Sequence, residues 1–140
     1  MKNIIKIIPI FITLLIVNTG CKAQQMVQTP NDVNKLRENE QQFINKPLKN
    51  LLKEIKPELK LVRAEIDQHS YFSFYFISHK EALKLSIDSI PLGFYVYIKE
   101  PLDWDTDKRP LDIQYKWTKE DLEKYGNLTV TRIKIRGKVK

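Results

Sequence analysis

The residues spaced like a metal site are three aspartates at alternate positions, Asp103, Asp105 and Asp107. Calcium loops begin with this spacing because their alternate side chains can turn toward one cation. Such a loop also needs a glycine next and a bidentate glutamate at its end, and this chain has Lys108 and Gln114 there. We therefore predict a solvated acidic loop with no bound metal.

The residue types used in catalysis do not form a recognisable constellation. His69 and His79 lack the third ligand of a zinc or copper site, and only Ser70 stands beside a histidine. No nucleophile elbow is present, and the four glycines form no phosphate-binding loop. Glu120 and Asp121 fit a helix first turn, where the helix dipole favours acidic side chains. We expect a protein that is not an enzyme and uses no cofactor.

Tyrosines and cations share one side of the predicted strands. Phe72, Phe74 and Phe76 alternate with Tyr71 and Tyr75, so the phenylalanines are predicted to face the core. Aromatic rings beside cations suit sugars, anionic polymers or a partner protein, but they also stabilise an ordinary solvated sheet face. The candidate binding face comprises Tyr71, Tyr75, Tyr95, Tyr97, Arg132, Lys134 and Arg136.

The elements that would position this face begin with two helices. The first is predicted from Asn31 or Asp32 to about Ile44, although Glu40 interrupts its apolar stripe. The second, Pro47 to Lys56, has leucines and an isoleucine at i, i+3, i+4 and i+7. Both should lay their apolar sides on a sheet.

Strands are predicted at Leu59 to Ile66, Tyr71 to Ile77, Leu92 to Lys99 and Asn127 to Arg136. Ile113, Tyr115 and Trp117 could form a brief strand or an extended lead-in to the next helix. In the last strand, Leu128 and Val130 share the parity of the arginines, so a bulge near Thr131 is predicted to switch the faces.

Two shorter helices are predicted between the strands. A capping box at Ser78 starts one, which runs from His79 to about Leu85 and crosses the sheet. Thr118 starts the other, and Gly126 is predicted to end it in a left-handed conformation.

These elements predict an α+β fold in which a helix pair and short helices cover one face of a small, mainly antiparallel sheet of three to five strands. In outline this resembles the small envelope lipoproteins of the outer-membrane assembly accessory type and the beta-lactamase-inhibitor-protein fold. The resemblance is architectural and carries no site residue over.

The first 24 residues have the plan of an export signal: Lys2 and Lys6, an apolar stretch from Ile7 to Val17, then small residues before Cys21, the only cysteine. The apolar stretch is too short to span a bilayer as a helix. Residues 17–21 resemble the lipobox of bacterial lipoproteins, with Asn18 departing from the usual apolar residue. That resemblance implies cleavage before Cys21 and lipid on its sulfur and amino group. Alternatively, a small-x-small site before Gln24 would release a soluble periplasmic protein.

We therefore predict a signal peptide at 1–20, a lipid-attached flexible tether at 21–30 and one α+β domain at 31–140. Without the leader, 22 basic residues face 17 acidic ones, a net charge of +5, which favours anionic envelope components. In the sorting rule of enteric lipoproteins, an Asp after the lipidated cysteine retains the protein in the inner membrane. Because Lys22 stands there, the resemblance implies the outer membrane, facing the periplasm. The predicted function is a non-catalytic protein-interaction or scaffolding module of the envelope, or alternatively a binding module for cell-wall glycan or another anionic polymer. We expect no nucleic-acid partner.

Overall fold

The computed structural model describes residues 24–138, so Cys21 and the leader lie outside the described residues. Four strands form one antiparallel sheet in the order β1-β2-β3-β4. The predicted α+β class is confirmed. The strands are β1 (Leu61–Glu65), β2 (Tyr71–Tyr75), β3 (Gly93–Ile98) and β4 (Val130–Arg136), and the helices are α1 (Asn34–Glu38), α2 (Leu48–Leu52), α3 (His79–Leu83) and α4 (Lys119–Tyr125).

The core lies on the phenylalanine side of the sheet, as the strand alternation predicts. Phe72, Phe74 and Phe94 are fully buried. Leu36 of α1, Leu51 of α2 and Tyr125 of α4 join the same apolar cluster, so these three helices cover this face. Trp104, from the loop after β3, also belongs to it.

Helix α3 departs from the prediction that it crosses the sheet. Its capping box forms as expected, with Ser78 accepting from the Glu81 amide and Glu81 accepting from the Ser78 amide. However, the helix has no buried residue, and Leu83 is 70% exposed. It adds nothing to the core.

The predicted first helix is broken into a 3-10 turn (Pro30–Val33), α1 and a second 3-10 turn (Glu40–Gln42). Thr29 caps the first turn in place of Asn31 or Asp32. The break follows Asn39, whose side chain donates to the Lys35 carbonyl and so competes with helix continuation.

The segment predicted as the second half of a flexible tether is packed into the body. Val27 is fully buried and forms a parallel bridge with Ile55, and its amide donates to the Glu54 carbonyl. Its apolar side chain completes the core beside the end of α2, so the ordered body begins before residue 31.

The predicted bulge in β4 is confirmed. Tyr97 pairs with Arg132 while Ile98 pairs with Val130, which leaves Thr131 as the extra residue. The bulge lets Val130 and Ile133 both face the core although their spacing breaks the alternation.

Three finer expectations differ from the structure. Gly126 is right-handed (φ −62°), and glycine suits it because a Cβ there would meet Lys49 and Leu122 of the packed helices. The first strand, predicted to run to Ile66, ends at Glu65, and Ile66 is 55% exposed. The brief strand does not form: residues 113–115 lie in a turn and 116–117 are irregular, although the Tyr115 carbonyl accepts from the Val62 amide.

Candidate binding face

The seven residues of the candidate face lie together on the side of the sheet opposite the core. The register sets three rows across the strands: Tyr71, Tyr97 and Arg132; Ser73, Tyr95 and Lys134; and Tyr75, Gly93 and Arg136. Directly paired residues share a face, so the rows form one surface, which we call the outer face. Strand β1 extends the rows with Glu65, Arg63 and Leu61.

Stacked tyrosines form the centre of the outer face. The rings of Tyr71 and Tyr95 stack with centroids 4.8 Å apart and an interplanar angle of 10°. Tyr97 packs on Tyr71 at 5.0 Å. All three are half-buried, so they cover one another but leave ring surface open to solvent. They form a continuous aromatic strip across β2 and β3.

Guanidinium groups lie over these rings. Arg132 is 5.5 Å from the Tyr97 centroid, and Arg136 is 5.6 Å from that of Tyr95. Arg63, which the sequence analysis did not include, lies 5.9 Å from Tyr75. A ring beneath a guanidinium restricts its rotamers while leaving its N–H edges free to donate.

The cations of the outer face are not neutralised by neighbours. Within residues 24–138, Arg63, Arg132, Lys134 and Arg136 form no ion pair. Four basic residues against Glu65 leave this surface at +3. The face is therefore electropositive as well as aromatic.

Tyr75 was expected to contact a ligand on this face, but it is too deeply buried to do so. It is only 5% exposed, and its ring lies against Gly93, where a Cβ would sit 2.5 Å from the ring. Burial, together with the hydrogen bond to the Tyr95 hydroxyl at 3.4 Å, raises the pKa of Tyr75 to about 12. Tyr75 therefore acts by holding the Tyr95 hydroxyl through this hydrogen bond.

Two of the three aspartates of the candidate calcium loop have structural partners. Asp105 caps a short 3-10 turn (Thr106–Lys108) by accepting from the Asp107 and Lys108 amides, while Asp103 pairs with Lys124 at 2.9 Å. Within residues 24–138, no group of three or more acidic, histidine or cysteine side chains could hold a metal ion.

The histidines do not form a catalytic pair with serine. The Ser70 hydroxyl donates to the Asp67 carbonyl, which closes the β1–β2 turn. His79 instead stacks on Tyr115 with centroids 3.8 Å apart, and its Nδ1 is buried without a hydrogen-bond partner in the part of the chain described.

A buried ion pair organises the loop on the core side. Arg109 donates to both carboxylate oxygens of Asp121 at 2.8 and 2.9 Å and to the carbonyls of Ile113, Gln114 and Lys116. Its guanidinium also lies 4.0 Å from the Trp104 ring centroid. Burial alone would raise the pKa of Asp121, but the Arg109 and Thr118 donors outweigh it and hold the pKa below its ordinary value. Sequence analysis missed this pair because its members are not local.

A second surface missed by the sequence analysis is apolar. Leu83, Leu85, Ile87 and Ile90 are 70%, 40%, 102% and 55% exposed, respectively. Ile87 sits in a turn that is closed by hydrogen bonds between Ser86 and Ser89. Beside this apolar segment (83–90) lies a groove of about 800 Å³ whose walls include Phe76.

Comparisons with protein-family models, curated proteins and solved structures find no match for this chain. None of the helices in residues 24–138 is long and apolar enough to cross a bilayer.

Proposed function

We propose that this chain is a lipid-anchored, non-catalytic binding module of the cell envelope whose outer face binds an anionic polymer. The observation that carries the proposal is the pairing of unneutralised cations with half-buried tyrosines on a sheet face that none of the core helices covers. An ordinary solvated face intersperses both charge signs, whereas this one is +3.

The two residue types have separate roles in the proposed binding. Arg132, Lys134 and Arg136 attract the polymer and donate hydrogen bonds to its anionic groups. The exposed edges of Tyr95 and Tyr97 offer apolar surface to the uncharged parts of the repeat. Because tyrosine has few rotatable bonds, little entropy is lost on binding.

The proposed anchor is lipid on Cys21, and Lys22 after it favours the outer membrane, with the module facing the periplasm. Intact mass of the mature protein tests it, since lipidation adds the mass of acyl chains and Cys21→Ser removes that mass. A mature product beginning at Gln24 would contradict the anchor and support release into the periplasm.

Retention of the full chain on isolated cell wall tests the outer face. We expect retention to fall steeply with salt, because polymer binding by cations releases counterions. The double substitution Arg132→Gln and Arg136→Gln should abolish retention, while Lys119→Gln on α4, a surface helix of the opposite face, should leave it almost unchanged. Equal retention of all three proteins would refute the outer face as the binding surface.

A second candidate function, protein interaction or scaffolding, is favoured by the apolar segment. Four exposed aliphatic side chains within eight residues are unusual on a free surface. If this segment binds a partner protein, crosslinking should capture one discrete partner with the unaltered chain. The double variant Leu83→Ser plus Ile87→Ser should no longer capture it. Capture should persist with Leu111→Ser, since Leu111 is 88% exposed elsewhere on the chain. Loss with the control variant alone would argue against the segment.

A further inference from the structure

The cations of β4 form a ladder with regular spacing. Arg132, Lys134 and Arg136 lie on one face of an unbroken part of the strand, opposite Tyr97, Tyr95 and Gly93. A strand rises about 3.3 Å per residue, so the Cα atoms of neighbouring cations are about 6.6 Å apart and those of the outer two about 13 Å apart. The side chains are long enough to adjust the positions of their charges, and the Arg136 guanidinium leans toward the Tyr95 ring. The Thr131 bulge lies before Arg132 and does not disturb this spacing.

This spacing matches one kind of linear polyanion. Three chain bonds of an extended polymer advance at most about 3.6 Å, so a repeat of six bonds between charges advances about 7 Å. A glycerol phosphate polymer has six such bonds between phosphorus atoms. A glycan with one carboxylate per disaccharide has about ten, which separates its charges by roughly 12 Å by the same arithmetic.

The two outer cations, Arg132 and Arg136, also have side chains that suit a phosphodiester. Arg132 and Arg136 carry planar guanidinium forks whose two N–H groups can bind both free oxygens of one phosphate. The rings of Tyr97 and Tyr95 lie against these guanidinium groups and limit their orientations. Lys134, between them, supplies a point charge with freely rotating donors.

We infer that the ligand of the outer face is a phosphodiester polymer with successive phosphates about 7 Å apart, so that three adjacent phosphates meet Arg132, Lys134 and Arg136 together. This inference rests on the proposed function and narrows it, because a carboxylated glycan would satisfy the proposed function without using the middle cation.

The test compares two polymers on the full chain in a neutral detergent: poly(glycerol phosphate), and hyaluronate with one carboxylate per disaccharide. Affinity is measured as a function of salt for the unaltered chain, for Lys134→Gln and for the charge-matched control Lys119→Gln. With three cations engaged, the plot of log affinity against log salt for poly(glycerol phosphate) should have a slope of about −2.

The middle cation distinguishes the two polymers. Lys134→Gln should weaken poly(glycerol phosphate) binding roughly tenfold and reduce the slope by about 0.7, while hyaluronate, which reaches only the outer cations, keeps its affinity. Lys119→Gln should change neither. If Lys134→Gln weakens both polymers equally, the spacing argument is overturned while polyanion binding stands. If the unaltered chain binds neither polymer, both the inference and the proposed function fail.

Discussion

Replacing Arg109 with methionine should destabilise the chain more than any surface substitution. The Arg109 side chain is 15% exposed and that of Asp121 is 8% exposed, so the substitution leaves a buried carboxylate without its cation. Removing one partner of a buried pair costs about 3–5 kcal/mol. Three backbone carbonyls also lose their donor, which makes the upper half of this range the expectation.

Urea unfolding, followed by tryptophan fluorescence, measures this loss directly, because Trp104 lies beneath the guanidinium and the only other tryptophan, Trp117, stacks near it. The matched control is Arg37→Met. Arg37 pairs with Glu40 at 2.7 Å but its side chain is 61% exposed, so its loss should cost 0–1 kcal/mol.

The destabilisation should also depend on pH. The pKa of Asp121 is lowered in the folded chain, so the ion pair contributes fully above the unfolded value near 3.9 and loses its contribution as the pH falls through the folded value. The gap between the unaltered chain and Arg109→Met should therefore narrow in acid. A destabilisation below 1 kcal/mol at neutral pH, or a gap independent of pH, would refute the role assigned to the pair.

Three further predictions concern the outer face and the apolar segment. Ultraviolet titration should show one tyrosine that ionises near pH 12 and is missing from the titration of a Tyr75→Phe variant. The free energy of unfolding should fall above pH 10, because there only the unfolded chain releases the Tyr75 proton. Ionisation of all tyrosines near pH 10 would contradict the burial of Tyr75. Gly93→Ala should lower the free energy of unfolding by about 1–3 kcal/mol, because its Cβ would lie 2.3 Å from the Phe74 carbonyl oxygen. An unchanged urea midpoint would contradict this contact. Ile87→Ser should change the free energy of unfolding by less than about 0.5 kcal/mol because Ile87 is exposed, whereas Leu51→Ala, in the core, should cost about 2–5 kcal/mol. Equal urea midpoints for the two variants would show that Ile87 is packed.

The fold class could be predicted because strand alternation is a local signal. Phe72 and Phe74 recur with the period of a pleated strand, and burial of one face then determines the side on which the helices pack. The bulge at Thr131 could be predicted for the same reason, since Val130 and Ile133 cannot both face the core on a regular strand.

Strand alternation could not predict how deeply a side chain is buried or which distant residues form an ion pair. Alternation places Tyr75 on the outer face but does not show that its ring covers Gly93 and is itself buried. Arg109 and Asp121 are 12 residues apart across an irregular loop, so no periodicity relates them.

The opposite error concerns apolar residues that the fold leaves uncovered. The capping box at Ser78 correctly predicts where helix α3 begins, but it carries no information on whether the helix crosses the sheet. The structure leaves Leu83 and Ile87 in solvent instead, while Trp104 and the helices α1, α2 and α4 cover the core face of the sheet.

The bridge between Val27 and Ile55 limits how far the body could stand from a bilayer. Of residues 24–138, the first in contact with the body is Gln25, whose side-chain amide donates to the Lys53 carbonyl. Only residues 22–24 therefore separate the body from Cys21, a reach of at most about 14 Å. With lipid on Cys21, the body would rest almost on the headgroups, and its far side would stand only roughly 35 Å higher. Such a protein would meet a wall polymer only in the narrow zone where that polymer approaches the membrane.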